Sequence, residues 1–249
     1  MAHVKLTNIN VEIPIYDANA LRLFKRRATK DKSKVGSGSF STAGVLSVQA
    51  LRNVNLEVND GERLALIGHN GAGKTTLLRF IAGVYPKGEG IRDILGDVHL
   101  YGSASSINPD GTGYENILLA MRLNGLDKSL EPKIRKDVEE FTELGEFLNM
   151  PMRTYSAGMS ARLNFAIATL KTPSILLIDE GIGAGDKNFA DKVEKRVKEF
   201  TDRAKIIVMA SHSGDFLKKM CNRGAVLRRG SIEFFGDVEK ALEFYDKSL

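Results

Sequence analysis

The sequence predicts an α/β fold with a mostly parallel core sheet, and three observations carry that expectation. Ile175-Leu176-Leu177-Ile178 and Ile206-Ile207-Val208-Met209 are unbroken apolar runs of strand length, the pattern of strands covered on both faces of a parallel sheet. Between them, Phe189, Val193, Val197 and Phe200 recur at helical spacing, so a helix separates the two strands. Arg63-Leu64-Ala65-Leu66-Ile67 reads as a buried strand that enters a glycine-rich turn and then a helix, Lys74 to Ala82. Strands that alternate with helices indicate α/β rather than segregated classes.

The other elements follow in chain order. Residues 4–16 read as a strand, and 45–60 as a strand pair or meander with Val54, Leu56 and Val58 alternating. Between them lies a basic segment and then Gly36-Ser37-Gly38-Ser39, a stretch of loop composition. Pro132 to Leu148 reads as a helix: Ile134, Val138, Phe141 and Leu144 share a face, and Pro132 suits a first helical turn. The tail alternates short strands around Arg229-Gly230 with a final helix from about Asp237. There are no internal repeats and no long heptad run.

With 249 residues, 43% of them hydrophobic and 27% charged, the chain has the make-up of one large globular domain or two small ones. Its apolar runs are too short to cross a bilayer, and Met1-Ala2-His3-Val4-Lys5 shows no signal-peptide h-region. One cysteine, Cys221, excludes an internal disulfide, suits a reducing cytoplasm, and reads as a small packed residue. The net charge of +5 invites a nucleic-acid partner. However, Arg22, Lys25, Arg26, Arg27, Lys30, Lys32 and Lys34 face only Asp31, so this one segment carries +6 and the remainder is close to neutral. The basicity is local, and no nucleic acid is expected.

The chemistry begins at Gly68-His69-Asn70-Gly71-Ala72-Gly73-Lys74-Thr75, followed by Thr76, which fits G-x-x-x-x-G-K-[ST] between a strand and a helix. Glycines there let several N–H groups aim at phosphate oxygens, and the helix adds the positive end of its dipole. Lys74 then reaches the β- and γ-phosphates of ATP, and the Thr75 hydroxyl ligates Mg²⁺. A second strand, Ile175 to Ile178, ends in Asp179-Glu180, and carboxylates at the end of a buried strand need a partner. Asp179 is the candidate for holding Mg²⁺, and Glu180 is placed to polarise the attacking water.

These two motifs define only a phosphate-loop NTPase. Tyr155-Ser156-Ala157-Gly158-Met159-Ser160, just upstream of the second strand and leading into a helix, narrows the reading. Here the sequence resembles the ABC ATPase family, whose signature is usually Leu-Ser-Gly-Gly-Gln; Ser156 and Gly158 agree, and Tyr155, Ala157 and Met159 fill the other three places. The shared serine supplies a hydroxyl, and the glycine lets backbone approach phosphate at a helix N-terminus. The resemblance covers roughly residues 45–235. It implies the ABC nucleotide-binding fold, with an N-terminal antiparallel β part, a parallel core and a helical subdomain near 113–168, in a single domain over 1–249. It also implies that Asp186 is the D-loop aspartate and His212 the switch histidine on the γ-phosphate, so that Lys74, Glu180 and His212 form the catalytic set.

The glutamine that the family usually places after the third core strand is missing; Asn108 stands in that region, with shorter reach. Thr112-Gly113-Tyr114-Glu115-Asn116-Ile117, the Tyr-Ser-x-Gly-Met signature and Asp179-Glu180-Gly181-Ile182-Gly183-Ala184-Gly185-Asp186 look like ATPases that export bacterial surface polysaccharides such as O-antigen, capsule and teichoic acid. That resemblance implies a head-to-tail dimer with a second copy and a separate transmembrane permease. It places the chain peripherally at the cytoplasmic face of the inner membrane. The same exporters carry an amphipathic insertion at 17–44, where Leu21, Leu23 and Phe24 stand beside the basic cluster. It reads as a helix lying at a headgroup surface, as a guide for anionic lipid-linked polysaccharide, or as a solvated basic loop. Tyr16 reads either as a ring stacked on adenine or as a strand-end aromatic. The residues after Gly236 are too few for a C-terminal glycan-binding domain. An importer ATPase, a soluble ABC ATPase acting on nucleic acid or ribosomes, and a non-hydrolysing module are the alternatives.

Overall fold

In the computed structural model the described residues are 1–14, 38–40, 46–85, 88–101, 107–179, 189–211 and 213–248. They form two compact units, Met1–Leu100 with Ser174–Gly181 and Lys205–Leu249, and Tyr101–Pro173 with Ile182–Ala204. Tyr16, most of the basic insertion, Glu180, Asp186 and His212 lie outside the described residues.

The first unit contains two sheets. Strands β1 (His3–Pro14), β2 (Gly38–Phe40), β3 (Leu46–Asn59) and β5 (Glu89–Leu95) form one, in the order β2-β3-β1-β5. Its pairings β1–β3, β1–β5 and β2–β3 are all antiparallel. The segment 45–60, expected as a strand pair or meander, is one long strand over 46–59. Its irregularity at Asn53, where φ is +45°, is matched by Asn8 at +54° on β1. The Asn53 N–H donates to Asn10 Oδ1 and the Asn8 N–H donates to Asn55 Oδ1, each at 2.9 Å, so side chains carry the pairing through the bulge. Val54, Leu56 and Val58 alternate into the core as their spacing predicts.

The second sheet has the order β10-β9-β4-β8-β7-β6, from β4 (Arg63–Ile67), β6 (Val98–Tyr101), β7 (Ile175–Asp179), β8 (Ile206–Ala210), β9 (Arg223–Arg228) and β10 (Ser231–Asp237). Strands β9, β4, β8 and β7 run parallel, and β10 is antiparallel to β9. Ile175, Leu176, Leu177, Ile206, Ile207 and Val208 are fully buried, which is why both strands are apolar without alternation. Helix α1 (Lys74–Ile81) adds Leu77, Leu78, Phe80 and Ile81 to the same core. Each such side chain, fully buried, contributes about 1.5–3 kcal/mol relative to exposure. Parallel pairing puts Leu66 opposite Ala210 and Ala210 opposite Asp179, so β4, β8 and β7 end along one edge. Ligands of open α/β sheets bind at such an edge.

The second unit is helical. It contains α2 (Gly113–Leu123), α3 (Glu131–Thr142), α4 (Ala157–Ala168) and α5 (Ala190–Arg203). Thr112 and Glu115 close a reciprocal capping box at the start of α2. Ile117, Val138, Phe141, Leu163, Phe165, Phe189 and Val193 share one core, with Phe141 stacked on Phe165 at 5.5 Å and edge-on to Phe189 at 4.8 Å. The helix expected over 132–148 stops at Thr142. Glu143 takes a left-handed conformation with φ +56°, and a short 3-10 turn at Gly145–Asn149 carries the chain onward. Leu144 and Leu148 therefore reach the core from the turn and not from the helix.

In the first unit, α6 (Gly214–Met220) follows β8, and α7 (Val238–Lys247) closes the chain with Asp237 as its cap.

Candidate active site

The edge described above carries the phosphate loop. Gly68, Gly71 and Gly73 all have positive φ, and Gly73, the N-cap of α1, is left-handed. The Ala72 N–H donates to the His69 carbonyl and the Leu77 N–H to the Gly73 carbonyl, closing the turn and starting the helix. Lys74 is buried, and its ammonium donates to the Gly68 carbonyl at 2.6 Å and to that of His69 at 3.2 Å. A buried cation held over a loop of backbone N–H groups, at the positive end of a helix, is built to meet phosphate. The adjoining His69 ring lies against its neighbour, Nδ1 being 2.7 Å from the Asn70 carbonyl oxygen.

Thr75, half-buried in the first turn of α1, donates its hydroxyl to Asp179 Oδ1 at 3.1 Å. A hydroxyl and a carboxylate oxygen this close are two hard-oxygen groups of the kind that could hold a small divalent ion. Thr76, next in the helix, is also half-buried.

One residue of this site carries no signal in the motif. Gly230, in the tight turn between β9 and β10, donates its N–H to the Ala72 carbonyl at 2.9 Å and accepts from the Arg52 N–H at 2.8 Å. The turn thus clamps the phosphate loop to β3. Gly230 has φ +81°, and a Cβ there would come within 2.5 Å of the Ala50 carbonyl oxygen. Only glycine satisfies both demands. The turn-forming Arg229-Gly230 pair is visible in the sequence, but its contact with a loop more than 150 residues away is not.

The second unit holds the other predicted group. Ser156 is the N-cap of α4, its hydroxyl accepting from the Met159 N–H at 3.2 Å, and Ser156, Ala157 and Gly158 are exposed. Little surrounds Gly158: its nearest neighbour to an added Cβ is Ser156 Oγ at 4.0 Å. The N-terminus of this helix is open to a ligand from outside. Asn108, also exposed, uses its Oδ1 to accept from the Asp110 N–H at 3.1 Å, and its carbonyl accepts from Asn116 Nδ2 at 2.9 Å. It therefore anchors its own turn.

Among the described residues no helix is long and apolar enough to cross a membrane. The ABC transporter family model matches residues 51–183. The O-antigen export system ATP-binding protein RfbE of Yersinia enterocolitica is 42% identical over 235 residues, covering 93% of this chain and 97% of its own length. The teichoic acids export ATP-binding protein TagH of Lactococcus lactis subsp. lactis (strain IL1403) is 37% identical over 233 residues, and the chain spans 50% of it. In structure, the ATP-binding subunit of an ABC transporter matches 98% of the chain with a TM-score of 0.68 at 18% identity, covering 93% of that chain. The ADP- and phosphate-bound dimeric cassette MJ0796 matches 94% with a TM-score of 0.63 at 21% identity, covering 98% of that chain. The fold is that of ABC ATPases.

Proposed function

The chain belongs to the ABC transporter family of ATP-hydrolysing subunits, and from that premise we propose that it powers an exporter of lipid-linked surface polysaccharide. The exporter class is supported by the 42% identity to an O-antigen export ATP-binding protein over nearly the full length of both chains. The ATPase chemistry rests on one observation above all, the Thr75 hydroxyl joined to the Asp179 carboxylate beside the phosphate loop.

In the proposed cycle two copies bind ATP head to tail, the Lys74 loop of one facing Ser156 and Gly158 of the other. The two groups lie in separate units, and the exposed N-terminus of α4 suits a ligand delivered by a second chain. Lys74 exchanges its loop carbonyls for β- and γ-phosphate oxygens, and Thr75 with Asp179 would hold Mg²⁺, whose chemistry there would be charge neutralisation on the phosphates. Glu180 orients and deprotonates the attacking water, His212 contacts the γ-phosphate, Asp186 couples the two copies, and Tyr16 stacks on adenine. Phosphate release then loosens the dimer and moves a separate permease docked at the Asn108 turn. The chain sits peripherally at the cytoplasmic membrane face, its basic insertion turned toward the lipid-linked glycan.

A Glu180→Gln chain, introduced in place of the wild type in the source bacterium, tests both layers. Phosphate release by the purified variant falls to background, and lipid-linked polysaccharide accumulates inside the cell. Normal surface polysaccharide in that strain, despite a silent ATPase, would refute the export role.

A further inference from the structure

The signature segment departs from its family at the first position, where Tyr155 stands in place of leucine. The departure has a structural counterpart. The Tyr155 hydroxyl donates to the Phe147 carbonyl at 2.6 Å, and the phenol oxygen lies close against Gly113. Gly113 is the first residue of α2, so its N–H is one of those a helix start leaves without an internal partner. The phenol is thus bonded to the 3-10 turn at 145–149 and wedged against the α2 start, while its ring packs half-buried against the core of the unit. A leucine cannot make that bond.

Gly113 is complementary to this arrangement. A Cβ there would lie 2.7 Å from the Tyr155 hydroxyl and 2.8 Å from Leu148 Cδ2, so glycine is set by close approach and not by backbone angle. The neighbouring backbone is stitched as well. The Met152 N–H donates to the Gly111 carbonyl and the Arg153 N–H to the Pro109 carbonyl, both at 2.9 Å, and Thr112 bridges Pro151. Arg153 also pairs with Asp110 at 2.5 Å, but both side chains are exposed, so solvent screens that pair and the backbone bonds dominate. The result is a continuous connection from the Asn108 turn to the residue immediately before Ser156.

We propose that Tyr155 is a positioning residue for hydrolysis: its hydroxyl, bonded to the 145–149 turn and wedged against the first turn of α2, holds the signature serine in place, so that displacement of the 108–113 turn reaches Ser156 without slack. The pin acts through Ser156 and touches no substrate. It rests on the reading that Ser156 meets the triphosphate of a second copy. Because nucleotide first binds on the Lys74 side, losing the pin lowers the rate of the sealed state and leaves initial ATP binding intact.

The test is steady-state hydrolysis by the purified full chain, comparing Tyr155→Phe, Tyr155→Leu, Gly113→Ala, the Gly113→Ala/Tyr155→Phe double variant and Ser156→Ala, with thermal midpoints recorded for each. Tyr155→Phe keeps the ring, so its midpoint falls by no more than about 4 °C, while kcat falls about fivefold or more with little change in KM. Tyr155→Leu is at least as slow although it restores the residue usual in the family. Gly113→Ala crowds both the phenol oxygen and Leu148; it slows the wild type more than it slows Tyr155→Phe, where only the Leu148 contact remains. Wild-type turnover in Tyr155→Phe beside a slow Ser156→Ala would overturn the pin and leave the shared site standing. Wild-type turnover in Ser156→Ala would overturn both, and a rise in KM at unchanged kcat in Tyr155→Phe would assign the phenol to nucleotide binding instead.

Discussion

The Thr75 hydroxyl donates to the Asp179 carboxylate at 3.1 Å, joining two residues 104 positions apart. Three sheet strands set that distance. Thr75 rides on the helix that leaves β4, and Asp179 ends β7, two strands away across β8. The hydrogen bond holds together, through protein atoms alone, the two side chains proposed to hold Mg²⁺.

Thr75→Ala removes one ligand oxygen and leaves Asp179 without its donor. Hydrolysis should need at least about tenfold more Mg²⁺ for half-maximal rate, as the loss of one charge-assisted hydrogen bond and one ligand implies. Thr75→Ser, which keeps the oxygen, should stay near the wild type. A Mg²⁺ titration at saturating ATP reads the difference, and equal curves for alanine and serine would remove Thr75 from the metal site.

Gly230 and Gly61 offer a matched comparison. Both have positive φ, +81° and +87°, but only Gly230 has a carbonyl oxygen in the way of a Cβ; Gly61 has nothing within 4 Å. Gly61→Ala should cost about 1 kcal/mol, the conformational penalty alone. Gly230→Ala should cost about 2–4 kcal/mol and weaken ATP binding, because the turn must shift off Ala50 and carries the Ala72 contact with it. Urea midpoints and nucleotide titration measure the two effects. Equal losses at both sites would deny the clamp.

Burial pushes the Cys221 thiol up to about 12 from a reference of 9.0. The folded chain therefore keeps the proton where the unfolded chain releases it. This contribution to stability is complete below about pH 9 and is lost as the pH rises toward 12. An aromatic disulfide reagent at pH 8 should leave the native thiol unmodified and label it fully in denaturant. Between pH 8 and pH 10.5, wild type should lose more of its denaturation midpoint than Cys221→Ala. An equal loss in the two would show that the thiol keeps its ordinary titration in the fold.

The parallel core and the phosphate loop are legible in the sequence because their causes are local. Strands buried on both faces cannot alternate, and a loop that wraps phosphate must be rich in glycine, so the residues at 63–75 and 175–179 advertise their structure. Features that depend on distant partners are not legible in this way. Glu143 turns left-handed and ends a helix that the apolar spacing would continue to Leu148; Gly145, two residues on, is the only local sign. Asn10 and Asn55 keep a bulged strand paired through side chains, a relationship that exists only once β1 and β3 meet. Gly230 supports the phosphate loop from the far end of the chain. Asn108 stands where the family resemblance looks for a glutamine, and its side-chain Oδ1 is taken up by the Asp110 N–H in its own turn, which composition alone does not reveal.

The central claim is that the Lys74 loop of one chain works with the Ser156 helix of another. Mixing Lys74→Ala with Ser156→Ala measures it directly, because each variant alone has no complete seam, whereas a mixed dimer has one. The account predicts that two preparations silent on their own recover ATP hydrolysis when combined, to about a quarter of the wild-type rate for random pairing. A mixture that stays as silent as its components would contradict it, as would full activity in either variant alone.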